Sequence, residues 1–186
     1  MKIFIPDKYH YMPSKKIFLA RTGVRYKSAL NDEKLMEIVN RVYLIGLSNV
    51  APVVYWDVFY KDSIPNDAIP EKFSDYKKFI ICASTLGDKF DLVVDKLSEE
   101  STMMGMLLDA WGSEALETLN EYFQLDYLQS FSIKTSMRFS PGYGDLDITV
   151  NSIYVQLLDI EEKVKVNRFG IMLPRKTTTF IAGIND

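Results

Sequence analysis

Two apolar runs, Val53-Val54-Tyr55-Trp56-Asp57-Val58-Phe59-Tyr60 and Phe79-Ile80-Ile81-Cys82-Ala83-Ser84, constrain this chain more than any other feature. The first is dense in β-branched and aromatic residues and reads as a strand, and the second reads as a buried strand. Between them, Asp62 to Pro70 carries two prolines and reads as a loop. Lys2 to Ile5, Ser132 to Arg138, Phe169 to Leu173 and Thr178 to Ile184 add further strand candidates, the last two divided by Pro174. Strands therefore outnumber the regular β-α alternation of a doubly wound fold. The expectation is a single α+β domain with a largely antiparallel sheet flanked by helices.

Helical periodicity supplies the flanking layer. Asn31-Asp32-Glu33 reads as a cap, followed by Leu35, Ile38, Val39, Val42 and Ile45 at helical spacing, with an end near Asn49-Val50. Gly87-Asp88 turns the chain into a second helix through Phe90, Val93, Val94 and Leu97. Ser101 opens a longer one to about Phe123, predicted to turn Met103, Met106, Leu107, Ala110, Leu116 and Leu119 inward. Gly105 and Gly112 inside it lower helix propensity, and close packing against a neighbour is the expected reason. Asp147 can cap a helix that buries Ile153, Val155, Leu157 and Leu158. Residues 1–30, tyrosine-rich from Lys8 to Ser14, are expected to form an arm and first turn packed on a domain spanning 31–186.

Several function classes fall away. At 186 residues with a hydrophobic share of 47%, the chain fits one soluble globular domain with a real core. A net charge of −3 argues against nucleic-acid binding through a basic surface. No signal pattern or membrane-length apolar run is present, so a cytoplasmic location without membrane association is expected. The one cysteine, Cys82, sits in an apolar run and reads as a buried inert thiol. The one histidine, His10, permits neither a triad nor a multi-histidine metal site. There is no Walker A loop and no G-x-G-x-x-G, and Gly142-Tyr143-Gly144 carries nothing by spacing alone. Carboxylate pairs such as Glu99-Glu100 and Glu161-Glu162 read as solvated helix faces, and Met103, Met104 and Met106 as packing. No catalytic side chain and no metal ligand is expected.

One segment asks for a ligand: Arg138-Phe139-Ser140-Pro141-Gly142-Tyr143-Gly144-Asp145. Pro141-Gly142 is a favoured centre for a type II turn. Gly142 and Gly144 let a ligand approach the backbone. Arg138 offers a planar fork for a carboxylate, and Tyr143 a flat face for a purine or a sulfonium. Carboxylate, purine and sulfonium are the parts of S-adenosylmethionine. The competing reading is a tight turn whose arginine pairs with a neighbouring aspartate and whose tyrosine packs.

The octapeptide resembles the R-x-x-P-G-Y signature of the activation domain of cobalamin-dependent methionine synthase, and more closely the R-[YF]-S-P-G-Y-G-D of its free-standing relatives. Ala83-Ser84-Thr85-Leu86-Gly87, Leu108-Asp109-Ala110-Trp111-Gly112-Ser113, Phe180-Ile181-Ala182-Gly183-Ile184 and, more weakly, Thr22-Gly23-Val24-Arg25-Tyr26 resemble the same relatives. The resemblance implies an S-adenosylmethionine-binding accessory domain for reductive methylation of cob(II)alamin, a component of methyltransferase activity and not a catalyst on its own. By that resemblance Arg138 grips the methionine end of the ligand, the Ser140 backbone and Gly142 line it, and Tyr143 covers it. In-line attack of Co(I) on a sulfonium methyl moves no proton, so positioning suffices without a general base.

The resemblance also implies partners: a cobalamin-binding methionine synthase subunit and an electron donor such as flavodoxin. The chain has no D-x-H-x-x-G motif, so the cobalamin is expected on the partner. The family's amino-group-binding aspartate has no assigned counterpart, and Asp57 reads as a strand residue facing solvent. An alternative is a docking or reactivation module for another corrinoid methyltransferase, with or without S-adenosylmethionine binding. A bend sealed beneath other side chains, with Arg138 neutralised internally, would remove the proposed role.

Overall fold

The computed structural model describes residues 1–185. Strand β1 (Lys2–Phe4) leads through a 3-10 turn into helices α1 (Lys15–Arg21), α2 (Tyr26–Ala29) and α3 (Glu33–Ser48). Strands β2 (Val53–Tyr60) and β3 (Lys78–Thr85) follow, then α4 (Asp88–Glu100) and α5 (Thr102–Tyr122). A π-helical turn, Phe123–Tyr127, runs into the short α6 (Leu128–Ser130), and α7 (Val150–Leu157) precedes β4 (Lys165–Val166), β5 (Met172–Leu173) and β6 (Thr177–Gly183). The main sheet has the order β1-β2-β3-β6, and every pairing in it is antiparallel. The fold is α+β, as the strand-rich sequence requires.

The period-2 alternation of the strands divides the core in two. Val54 and Trp56 of β2, Ile80 and Cys82 of β3, and Phe180 and Ala182 of β6 face one layer, where they meet Val39, Val42, Phe90, Leu108 and Trp111 of the helices. Phe79, Ile81, Ala83 and Ile181 face the other, where α7 contributes Val150, Tyr154 and Val155. The 61–76 connection, three 3-10 turns in series, closes that second layer with Ile64, Ala68 and Phe73. Residues of the amino-terminal segment join the first layer, with Phe18 and Leu19 fully buried.

Caps fall where the sequence places them for α3 and α5. The Asp32 carboxylate accepts from the Leu35 N–H, and the Ser101 hydroxyl from the Met104 N–H. Asp147 instead closes the turn before α7, accepting from the Thr149 N–H and hydroxyl at 2.8 and 2.6 Å; those bonds lower its carboxyl pKa.

Three expectations need correction. On α5 the inward side chains include Met104, Leu108, Trp111 and Ala115, whereas Met103 and Met106 are exposed. A long helix wedged against α1, α3 and α4 buries most of its circumference, so spacing alone misassigned the stripe by one residue at its start. The 169–173 run forms only the two-residue β5, paired with β4, and leaves Phe169 and Ile171 exposed. The third correction, at residues 132–138, belongs to the site.

Gly105 and Gly112 sit where helices touch. A Cβ on Gly105 would lie 2.7 Å from the Ser98 Cα, and one on Gly112 would lie 2.6 Å from the Phe90 Cζ. Gly→Ala in a helix ordinarily stabilises by about 1 kcal/mol. Here Gly105→Ala is expected to reverse that sign and destabilise by about 1–3 kcal/mol through overpacking against backbone. Chemical denaturation of the two proteins measures it.

Burial pushes the Cys82 thiol well above its ordinary 9.0 and the Tyr154 phenol above its ordinary 10.0. Tyr154 also donates to the Ala68 carbonyl at 2.8 Å. Both groups stay neutral in the fold at pH values where the unfolded chain loses their protons. Their contribution is therefore full below the unfolded values and lost as pH climbs above them. Denaturation midpoints should fall from about pH 9 upward, less steeply in Cys82→Ala; equal slopes would contradict the assignment.

Candidate functional site

Residues 132–140 run along the outer edge of β6 without forming a regular strand. Two isolated bridges, Thr135 with Ile184 and Phe139 with Ile181, slip by one residue relative to each other. Ser136 fills the irregularity: its N–H donates to the Gly183 carbonyl, and its hydroxyl accepts from the Gly183 N–H at 2.9 Å. The alternation read from the sequence is present, but a bulge breaks the ladder. The bulge lies just before the motif, so Arg138 and Phe139 diverge to opposite faces of the sheet.

Phe139 joins the second core layer and lies under the Lys72 ammonium, 3.7 Å from its ring centroid. Arg138 turns toward α5. One of its terminal nitrogens donates to Glu117 Oε2 at 2.7 Å, and the other approaches Gln124 Oε1 at 3.5 Å. The guanidinium side chain keeps 29% of its surface exposed and the Glu117 side chain 49%. The competing reading is thus met in half. Arg138 has an internal carboxylate, supplied by a helix 21 residues earlier in the chain and not by a neighbouring aspartate.

The bend beyond Arg138 lies open. Ser140 is half-buried and Pro141 buried, and Gly142, Tyr143 and Gly144 are exposed, Tyr143 to 69%. Gly142 (φ +93°) and Gly144 (φ +55°) both occupy the left-handed region, which explains the two glycines by conformation. The Gly142 N–H donates to the Leu146 carbonyl, and the Leu146 N–H to Tyr143. Asp145 anchors the loop from outside by accepting from the Glu71 N–H at 2.6 Å. The tyrosine does not pack.

No protein-family model matches the chain, and no curated protein sequence does. Among solved structures, it is similar to the MetH reactivation domain bound to AdoHcy, with a TM-score of 0.65 and 14% identity over 98% of this chain and 77% of that one. The chain has that fold. In this chain the Arg138–Asp145 bend emerges from the edge of the four-stranded sheet.

On this scaffold the residues singled out from the sequence do not all converge. Asp57 lies on β2, separated from the bend by β3 and β6, and its carboxylate meets the amino group of Met1 at 2.5 Å. His10 is buried, stacked on Tyr122 at 3.7 Å between ring centroids, with Nδ1 accepting from the Asp7 N–H. Gly23, at φ +78°, lies in a separate turn between α1 and α2. Among the described residues, no three His, Cys, Asp or Glu side chains gather as a metal site, and no helix is long and apolar enough to cross a membrane.

Two neighbours of Arg138 were missed by sequence reasoning. Glu117 lies among ordinary helix-surface carboxylates, and no local pattern marks it out. Gln124 is 8% exposed and belongs to the π-turn, whose extra residue per turn cannot be read from apolar spacing. A cleft of about 350 Å³ that includes Gln124, but neither Glu117 nor Arg138, is also lined by Gln129, Thr135, Ser136, Met137 and Asn185, among others.

Proposed function

We propose that this chain binds S-adenosylmethionine at the Arg138–Gly144 bend and presents it to a cobalamin carried by a separate methionine synthase chain. The observation that carries the reading is the open bend: Gly142, Tyr143 and Gly144 lie exposed, and Arg138, which precedes them in the chain, makes only a partly exposed pair with Glu117. The chemistry supplied by such a ligand is an activated methyl group on a sulfonium.

The donor set suits a zwitterionic amino acid. Arg138 retains N–H groups beyond the one given to Glu117, and these can take a carboxylate. Glu117, half in solvent, can take the adjacent ammonium. This assigns to Glu117 the amino-group role that no aspartate could be given from the sequence. Ser140 and Gly142 would line the ligand, and Tyr143 offers an unobstructed ring to a purine or a sulfonium. Similarity to a MetH reactivation domain bound to AdoHcy supports the ligand class.

No proton has to move, so the chain's task is to orient the ligand and leave the methyl accessible from outside. His10 is committed to the arm, which supports placing the corrinoid on a partner. Reduction of that corrinoid requires an electron donor, for which flavodoxin is the class we assign.

Calorimetry with S-adenosylmethionine tests the binding step. A saturable heat is expected, and Glu117→Gln should weaken it about tenfold by removing the ammonium's ionic partner. The Arg138–Glu117 pair also favours the other reading, a docking module for another corrinoid methyltransferase that does not use this ligand. Absence of any saturable heat would decide for that module. Appearance of the methylcobalamin spectrum on mixing the protein, reductant and partner-bound cob(II)alamin with S-adenosylmethionine would establish the full role.

A further inference from the structure

We propose that Gln124, on the π-turn that ends α5, is the positioning residue for Arg138; the inference rests on the reading that Arg138 grips the ligand carboxylate. Gln124 is a buried polar side chain with its amide fully directed at the Arg138 segment. Its amide nitrogen donates to the Ser136 carbonyl at 2.6 Å and to the Thr135 hydroxyl at 2.9 Å. Its oxygen is the group that faces the guanidinium at 3.5 Å.

These contacts act where the edge segment is otherwise least determined. Thr135 is bridged to Ile184, just past β6, and Phe139 to Ile181 within it, but the register slips between them, and Arg138 falls inside the slip. A regular ladder would fix the direction of Arg138 through its own backbone. With the ladder broken, the direction is set by the Ser136–Gly183 exchange on one side and the Gln124 amide on the other. The π-turn starts one residue earlier, at Phe123, whose ring is fully buried in the first core layer. The widened turn therefore ties the amide to a rigid part of the molecule. Single π-turns inserted in α-helices recur at functional sites for this kind of local re-aiming.

The choice of amide has a chemical consequence. A carboxylate at 124 would neutralise the guanidinium a second time, beside Glu117, and repel an incoming carboxylate. A neutral acceptor orients the fork and leaves its charge for the ligand.

Two readouts separate the inference from the reading beneath it. The Nε–Hε signal of Arg138, assigned by its loss in Arg138→Lys, reports side-chain order without any ligand, and calorimetry reports affinity for S-adenosylmethionine. Gln124→Met should broaden and shift the Arg138 signal and weaken binding about tenfold, the effect of one hydrogen bond to a charged group. Gln124→Glu, nearly isosteric should the methionine variant fail to fold, removes the amide donor to the Ser136 carbonyl and should likewise shift and broaden the Arg138 signal, and weaken binding further through repulsion. An Arg138 signal unmoved in both variants would overturn the positioning role even if wild-type protein binds tightly. Absence of saturable heat in the wild type would overturn the ligand reading, while the resonance still decides whether Gln124 orders Arg138.

Discussion

Arg138→Ala is expected to lower the affinity for S-adenosylmethionine on the order of 100-fold, the cost of losing charge-assisted hydrogen bonds to a carboxylate. Stability should hardly change. The pair lost with Glu117 is partly exposed, and such pairs contribute about 0–1 kcal/mol. Glu117 would not be stranded either, because it can return to water. Calorimetry and a thermal melt of the two proteins check both halves, and undiminished affinity in a folded variant would remove Arg138 from the site. The contrast with Glu117→Gln is informative. If Glu117 merely competed with the ligand for the guanidinium, that substitution would tighten binding, and the ammonium assignment would fall.

The largest effect on stability is expected at Trp111. Its ring is fully buried, 5.8 Å from Phe90 and 6.0 Å from Tyr43 between centroids, at the junction of α3, α4 and α5. Trp111→Ala should cost about 3–5 kcal/mol, a large part of the total for a domain of this size. Trp111→Phe should cost far less, because it keeps an aromatic ring and removes an indole N–H that has no hydrogen-bond partner. Gly46 provides an internal control. A Cβ there would lie 2.6 Å from the indole, so Gly46→Ala should destabilise the wild type and be tolerated in Trp111→Ala. Urea denaturation of the four proteins gives the coupling energy, and additivity would show that the two residues do not share that space.

Much of this architecture is legible in the residues. Val53–Tyr60 and Phe79–Ser84 are too rich in β-branched and aromatic side chains to be anything but strands, and the prolines between them exclude a long helix. Asp32 and Ser101 announce their helices because capping is local chemistry. The bend was legible for the same reason, since the glycines at 142 and 144 reflect backbone angles that other residues resist. What could not be read depends on distant partners. Met104 lies inside and Met103 and Met106 outside because of which helices surround α5. Glu117 and Gln124 reach Arg138 only once α5 has been laid against the sheet and its last turn widened. The interrupted strand at 132–138 likewise depends on how Ser136 meets Gly183, a contact spanning 47 residues.

The parting of Arg138 and Phe139 gives the loop two separate foundations. The guanidinium rests on the helical layer through α5, and the phenyl ring rests on the opposite layer with Phe73 and the 61–76 turns. A loosening of either slab would tilt the same short stretch of chain. Ligand capture should then fail well before the molecule as a whole melts, whichever side of the sheet has been weakened.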